Sequence, residues 1–172
     1  MGRPVLIIAE AGVNHNGSLE TAKKLVDVAA ASGADLVKFQ TAKAEALVSR
    51  IAPMAEYQEK NTGKRESQLD MLRKLLLTYE EFEALASYCK GKKITFLSTP
   101  FDLESIDFLG QLGMPFWKIP SGEVTNYPYL EKIGRTHKPV VMSTGMCSLE
   151  EVRAAMQVLQ ENGAGKITLL HC

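Results

Sequence analysis

The chain has 172 residues, 45% of them hydrophobic and 23% charged, with 20 basic and 20 acidic side chains and no formal net charge. That length and composition suit one domain with a substantial core, and the charge balance gives no support to a nucleic-acid or anionic-membrane partner. Three widely spaced cysteines, Cys89, Cys147 and Cys172, argue against a disulfide scaffold or a zinc finger and suit a reducing, cytoplasmic setting, and no apolar run reads as a signal peptide or a membrane span.

Strand and helix signals alternate along the chain. Val5–Ala9 is a continuous apolar run, as expected for a strand buried on both faces, and it ends in Glu10. Pro4 and this strand directly behind Gly2 argue against myristoylation. A polar loop from Gly12 to Gly17 follows. Ser18 then caps a helix with Leu19, Ala22, Leu25, Val26 and Ala29 at helical spacing, and Gly33 ends it. Leu36–Phe39 is the second strand. Residues 41–66 have no clean period, and a loop of that length in a compact domain is usually functional.

Glu66–Leu77 and Thr78–Gly91 are predicted helices, the second opened by a capping box, Thr78 to Glu81. Ile94–Leu97 is the third strand, followed by a helix capped by Asp102 and closed by Gly113. Pro115–Ile119 is a strand, Tyr127–Thr136 a short helix and Pro139–Met142 a strand. Ser148 to Glu151 is a second capping box, opening a helix that ends near Gly163. Asn162 to Lys166 contains part of a phosphate-loop pattern but follows a helix, so it reads as a helix stop. Ile167–Leu170 is the sixth strand.

Repeated strand–helix units with buried strands predict a parallel sheet with right-handed crossovers. A doubly wound dinucleotide fold should carry Gly-x-Gly-x-x-Gly after its first strand, and AEAGVNHNGS does not match it. A (β/α)8 TIM barrel better explains polar residues at successive strand ends. Such a barrel needs about 250 residues. Residues 1–172 are therefore expected to form an incomplete barrel of six strands and five connecting helical segments, the N-terminal part of a longer protein.

The strand ends carry the chemistry. Lys38 and Lys118 each sit inside an apolar strand, where lysine is rare without an anionic partner. Two such lysines at one end of a sheet fit a ligand with phosphate or carboxylate groups. A Schiff-base role, or pairing of Lys38 with Glu10 and of Lys118 with Glu123, are the alternatives. Glu10, expected to be partly buried, and Glu123 are candidate acid–base or substrate-positioning carboxylates, and Asn14 and His15 accompany Glu10. Gly122 is expected to allow close backbone approach or a positive φ. Hydroxyls and backbone N–H groups at Ser98, Thr99, Ser121, Ser143 and Thr144 suit phosphate oxygens. His171 and Cys172, as adjacent strand residues, are expected to face opposite ways and not to share an ion.

IIAEAGVNHNGSLETAKKL, GADLVKFQT, FLSTPFD, PFWKIPSGEVTNYPYLEKI, KPVVMSTGM and LLHC occur in the order found in N-acetylneuraminate (sialic acid) synthases, and YQEKNTGKRESQLDML resembles their bacterial branch. The resemblance covers nearly the whole chain. It implies a TIM-barrel transferase that condenses phosphoenolpyruvate with N-acetylmannosamine or a related N-acetylated amino sugar, giving a nonulosonate and phosphate. The enol carbon attacks the sugar aldehyde, water adds at the adjacent carbon, and the tetrahedral intermediate loses phosphate by C–O cleavage. By the same resemblance Lys38, Thr99, Lys118, Ser121 and Ser143 hold phosphoenolpyruvate. Glu10 positions substrate, Glu123 activates water, and Gln40 and Asn61 belong to the substrate pocket.

The resemblance also implies Mn2+ or Mg2+ in the full-length enzyme, with no metal ligand in this chain. A C-terminal antifreeze-like domain is absent, as are the histidines that hold the metal, so this chain alone is expected to be inactive and the full-length protein to be a homodimer. The alternatives are another phosphoenolpyruvate aldol enzyme of the 3-deoxy-octulosonate-8-phosphate synthase kind, or a non-catalytic truncated paralogue that binds a metabolite.

Overall fold

The computed structural model describes residues 5–48 and 67–172, and the chain divides into two compact units, Met1–Phe96 and Leu97–Cys172. Among the described residues no helix is long and apolar enough to cross a membrane.

The first unit contains β1 (Ile8–Gly12), α1 (Leu19–Ala31), β2 (Leu36–Thr41), α2 (Ala44–Leu47), α3 (Gln68–Leu75) and α4 (Tyr79–Gly91), and β3 (Thr95–Pro100) begins in it. These strands form a sheet in the order β1-β2-β3. β1 and β2 run parallel with Ile8, Ala9 and Glu10 opposite Leu36, Val37 and Lys38. The register then slips, and Gly12 faces Phe39. Gly12 has φ +54°, a left-handed conformation that glycine enters without steric cost, and the irregularity falls there.

β1 starts three residues later than the apolar run predicts. Val5, Leu6 and Ile7 are exposed. Ile7 is held at its backbone instead: its N–H donates to the Asp35 carboxylate at 2.7 Å, and its carbonyl accepts from Asp35 and Leu36. β1 stands at the end of the strand order, so an apolar run there need not be buried on both faces. β2 is buried except at Gln40. Phe39, Phe82 and Phe96 form its aromatic core, with ring centroids 5.9 and 6.4 Å apart. The predicted capping box holds at α4, where Thr78 and Glu81 bond each other's backbone N–H. The predicted long irregular segment includes α2, and residues 49–66, Asn61 among them, lie outside the described residues.

The second unit contains α5 (Leu103–Gln111), β4 (Trp117–Ile119), a 3₁₀ turn (Ser121–Glu123), α6 (Tyr127–Gly134), β5 (Val140–Ser143), α7 (Leu149–Glu161) and β6 (Ile167–Leu170). β4, β5 and β6 form a parallel sheet in that order. Asp102 caps α5, and the Ser148–Glu151 capping box opens α7, both as predicted. Gly163, at φ +87°, follows the end of α7 as the helix stop that the sequence implied. The α6–α7 contact is close enough that a Cβ on Gly134 would stand 2.7 Å from the Asn162 Cβ. Trp117 is fully buried, and its indole N–H donates to Thr136 Oγ1 at 2.7 Å. β6 is less covered than predicted, with Leu169 and Leu170 exposed at the end of the sheet.

Candidate active site

In the first unit the register opposes Glu10 and Lys38, and side chains at such partnered positions on adjacent strands lie side by side. Their carboxylate and ammonium form an ion pair. Lys38 is 8% exposed, as its apolar surroundings in the sequence predicted. Glu10 differs from expectation: its side chain is 55% exposed, because it lies within β1 near the end of the sheet. Gly12 leaves room beside this pair, since a Cβ there would stand 3.3 Å from Glu10 Oε1 and 3.8 Å from Gln40 Nε2. Glu10, Lys38 and Gln40 thus converge at the carboxyl ends of β1 and β2.

His15 is 1% exposed and does not join that cluster through any hydrogen bond. Its Nδ1 accepts from the Gly17 N–H at 3.1 Å, which puts the ring proton on Nε2, and Nε2 has no partner among the described residues. Burial lowers its pKa, only partly offset by the negative charge of Glu81, so the ring is neutral near pH 7.

In the second unit Lys118 is 9% exposed on β4. Its Nζ donates to the Ile119 carbonyl at 2.8 Å and to Ser143 Oγ at 2.7 Å. The nearby Ser143 hydroxyl, the Thr144 backbone and the Lys118 charge hold the Cys172 thiol below the usual cysteine range, and the thiol donates to the Leu170 carbonyl at 3.6 Å. Ser121 opens the 3₁₀ turn, and a Cβ on Gly145 would stand 3.5 Å from its Oγ and 3.6 Å from the Cys172 Cβ. Lys118, Ser121 and Ser143 are therefore gathered by the ends of β4 and β5 around Gly145. Thr99 is 2% exposed at the end of β3, and its Oγ1 is a buried hydroxyl with no hydrogen-bond partner among the described residues. A bound anion would supply the missing acceptor.

Three further details depart from the sequence reading. Gly122 has no positive φ, and a Cβ there would meet open space, so a backbone requirement does not explain it. The Thr144 side chain is engaged structurally, with Oγ1 donating to the Leu170 carbonyl at 2.9 Å. His171 and Cys172 line one cavity of about 440 Å³ together with Thr144, Cys147 and Leu149, because both residues lie past the end of β6, where strand alternation no longer applies.

Glu123 ends the 3₁₀ turn and accepts from Asn126 Nδ2 at 2.7 Å. Asn126 also caps α6 through its Oδ1. Sequence reasoning missed Asn126, although Asn two residues before a Pro at a helix start is a readable cap signal. Among the described residues no group of three or more His, Cys, Asp or Glu side chains could hold a metal ion.

Residues 25–172 match the model of the NeuB family. The chain belongs to the NeuB family. It is 54% identical over 172 residues to the N,N'-diacetyllegionaminic acid synthase of Campylobacter jejuni, covering 99% of this chain and 52% of that relative. It is 48% identical over 170 residues to the enzyme of the same name from Legionella pneumophila, covering 96% of this chain and 48% of that one. The chain thus spans about half the length of the curated relatives it matches. Its fold is similar to the crystal structure of the N-acetylneuraminic acid (sialic acid) synthetase of Leptospira borgpetersenii in complex with citrate. The TM-score is 0.81 at 29% identity, over 99% of this chain and 54% of that one. The α/β fold predicted from alternating elements is thereby established.

Proposed function

We propose that this NeuB-family segment supplies the phosphoenolpyruvate site and two working carboxylates of a nonulosonate synthase. The reaction is condensation of phosphoenolpyruvate with an N-acetylated amino sugar, with release of phosphate. The observation that carries this reading is the Lys118–Ser143 arrangement. A buried ammonium is held by a hydroxyl and a backbone carbonyl at strand ends. A fixed cation of this kind favours a dianionic phosphate or a carboxylate over a neutral ligand.

In this reading Lys118, Lys38, Ser121, Ser143 and Thr99 bind phosphoenolpyruvate. The orphaned Thr99 hydroxyl donates to it. Glu123 takes a proton from the attacking water. Glu10, paired with Lys38, positions the substrate hydroxyls. Gln40 and Asn61 complete the pocket. The segment is proposed to be part of a (β/α)8 barrel in a cytoplasmic homodimer whose divalent metal is bound by other residues. The names of the two bacterial relatives favour N,N'-diacetyllegionaminate over N-acetylneuraminate as product.

The test is phosphate release by the complete gene product, with phosphoenolpyruvate and a panel of acetamido sugars. Sugar-dependent release, and loss of about tenfold to a hundredfold in phosphoenolpyruvate affinity on Lys118→Met, are expected. Unchanged affinity in that variant would remove Lys118 from the site.

A further inference from the structure

Asn126 stands between a candidate catalytic group and a rigid part of the fold. Its Nδ2 donates to Glu123 Oε2 at 2.7 Å, and its Oδ1 accepts from the Tyr129 N–H at 3.3 Å as the cap of α6. The two contacts are complementary. The capped N–H requires the oxygen of the amide, so the NH2 group is left to face Glu123 and the amide has one orientation. A carboxylate or a hydroxyl at position 126 would keep the cap and lose the amide donor.

The frame behind Asn126 is stiff. Tyr129, in the first turn of α6, is fully buried, and its hydroxyl donates to the Pro100 carbonyl at 2.9 Å. Burial, with the charges of Glu123 and Asp102, holds this phenol well above its ordinary range, so it stays a donor. Pro100 directly follows Thr99. A continuous set of bonds therefore runs from the Glu123 carboxylate through Asn126 and the first turn of α6 to the end of β3, where the orphaned Thr99 hydroxyl lies.

We infer that Asn126 is a positioning residue: it fixes the rotamer of the Glu123 carboxylate relative to the Thr99 end of β3, and it acts on the reaction through Glu123. The inference rests on the reading of Glu123 as a catalytic carboxylate. Groups held to within fractions of an ångström by such supports lose rate when the support goes, while ligand binding is largely kept.

The experiment uses the complete gene product and the variants N126S, E123Q and E123Q/N126S, with steady-state kinetics in phosphoenolpyruvate and thermal melting. The serine hydroxyl introduced by N126S retains an oxygen acceptor for the cap. N126S is expected to lower kcat about tenfold, with KM for phosphoenolpyruvate within about twofold and little change in Tm. In the E123Q background the same change is expected to cost nothing further, because the group it serves is already gone. Wild-type kcat in N126S, or an equal loss in both backgrounds, overturns the role of Asn126 while E123Q remains impaired. Full activity of E123Q overturns the underlying reading of Glu123, and the inference with it.

Discussion

Glu10 and Lys38 are register partners on adjacent parallel strands, and the ion pair between them is lopsided: the lysine side chain is 10% exposed and the glutamate 55%. The two ends should therefore respond differently to mutation. Glu10→Ala leaves a buried ammonium without its counter-charge and is expected to destabilise by about 1–3 kcal/mol, less than for a fully buried pair because water reaches the carboxylate side. Lys38→Met keeps the volume, removes the buried charge and leaves only an exposed carboxylate, so a change within about 1 kcal/mol is expected. Urea denaturation measures both, and a larger cost for Lys38→Met would contradict this asymmetry.

The three thiols should separate by reactivity. Burial pushes Cys89 up to about 12, and Cys147 is also raised, by desolvation first and then by Glu151. Cys172 is lowered by the nearby Ser143 hydroxyl, by the Thr144 backbone and by the Lys118 charge. Since the thiolate is the nucleophile, iodoacetamide at pH 7 should label Cys172 first, Cys147 more slowly and Cys89 only after unfolding. Ser143→Ala should move the pH dependence of Cys172 labelling upward. Peptide mapping by mass spectrometry reads the order, and preferential labelling of Cys147 would refute it.

Gly17 meets two constraints at once. Its φ is +72°, and a Cβ would fall 2.0 Å from the Lys74 carbonyl oxygen, a backbone atom that cannot swing aside. Gly17→Ala should cost about 2–4 kcal/mol. Gly91→Ala is the contrast: it lies in α4, where a Cβ meets open space, and should be neutral or stabilising by up to about 1 kcal/mol. Equal thermal midpoints for the two variants would show that the tight approach at Gly17 is relieved at little cost.

His15 gives the fold a predictable acid response. The unfolded imidazole titrates near 6.5 and the buried one lower, so below that value the unfolded chain binds the proton first. The contribution is complete above about pH 6.5 and is lost as pH falls through the unfolded value toward the folded one. His15→Asn, which retains an acceptor for the Gly17 N–H, should flatten the pH dependence of stability below about pH 6.5. Denaturant midpoints at several pH values test this, and an unchanged slope would assign the acid response to other groups.

Local chemistry was the most legible part of the sequence. The capping boxes at Thr78 and Ser148 and the Asp102 cap need only residues three apart, and all three form. Buried Lys38 and Lys118 were also readable, because a lysine inside an apolar run carries its own signal. What escaped depended on partners distant in the chain. The start of β1 was set by Asp35 holding Ile7, 28 residues away. The exposure of Glu10 followed from the place of β1 in the sheet, which periodicity does not encode. The link from Asn126 to Glu123 is a side-chain contact that no periodicity encodes, although the cap that Asn126 forms is local. Gly122 has neither a positive φ nor a close neighbour at its Cβ position, so the glycine signal there carries no backbone requirement.

The Lys118–Ser143 bond has one further implication. A serine hydroxyl has one hydrogen and two lone pairs, and Lys118 occupies one of the lone pairs. The hydrogen of Ser143 therefore points away from the ammonium, and an acceptor that meets it finds a neutral donor whose direction a buried charge has already set.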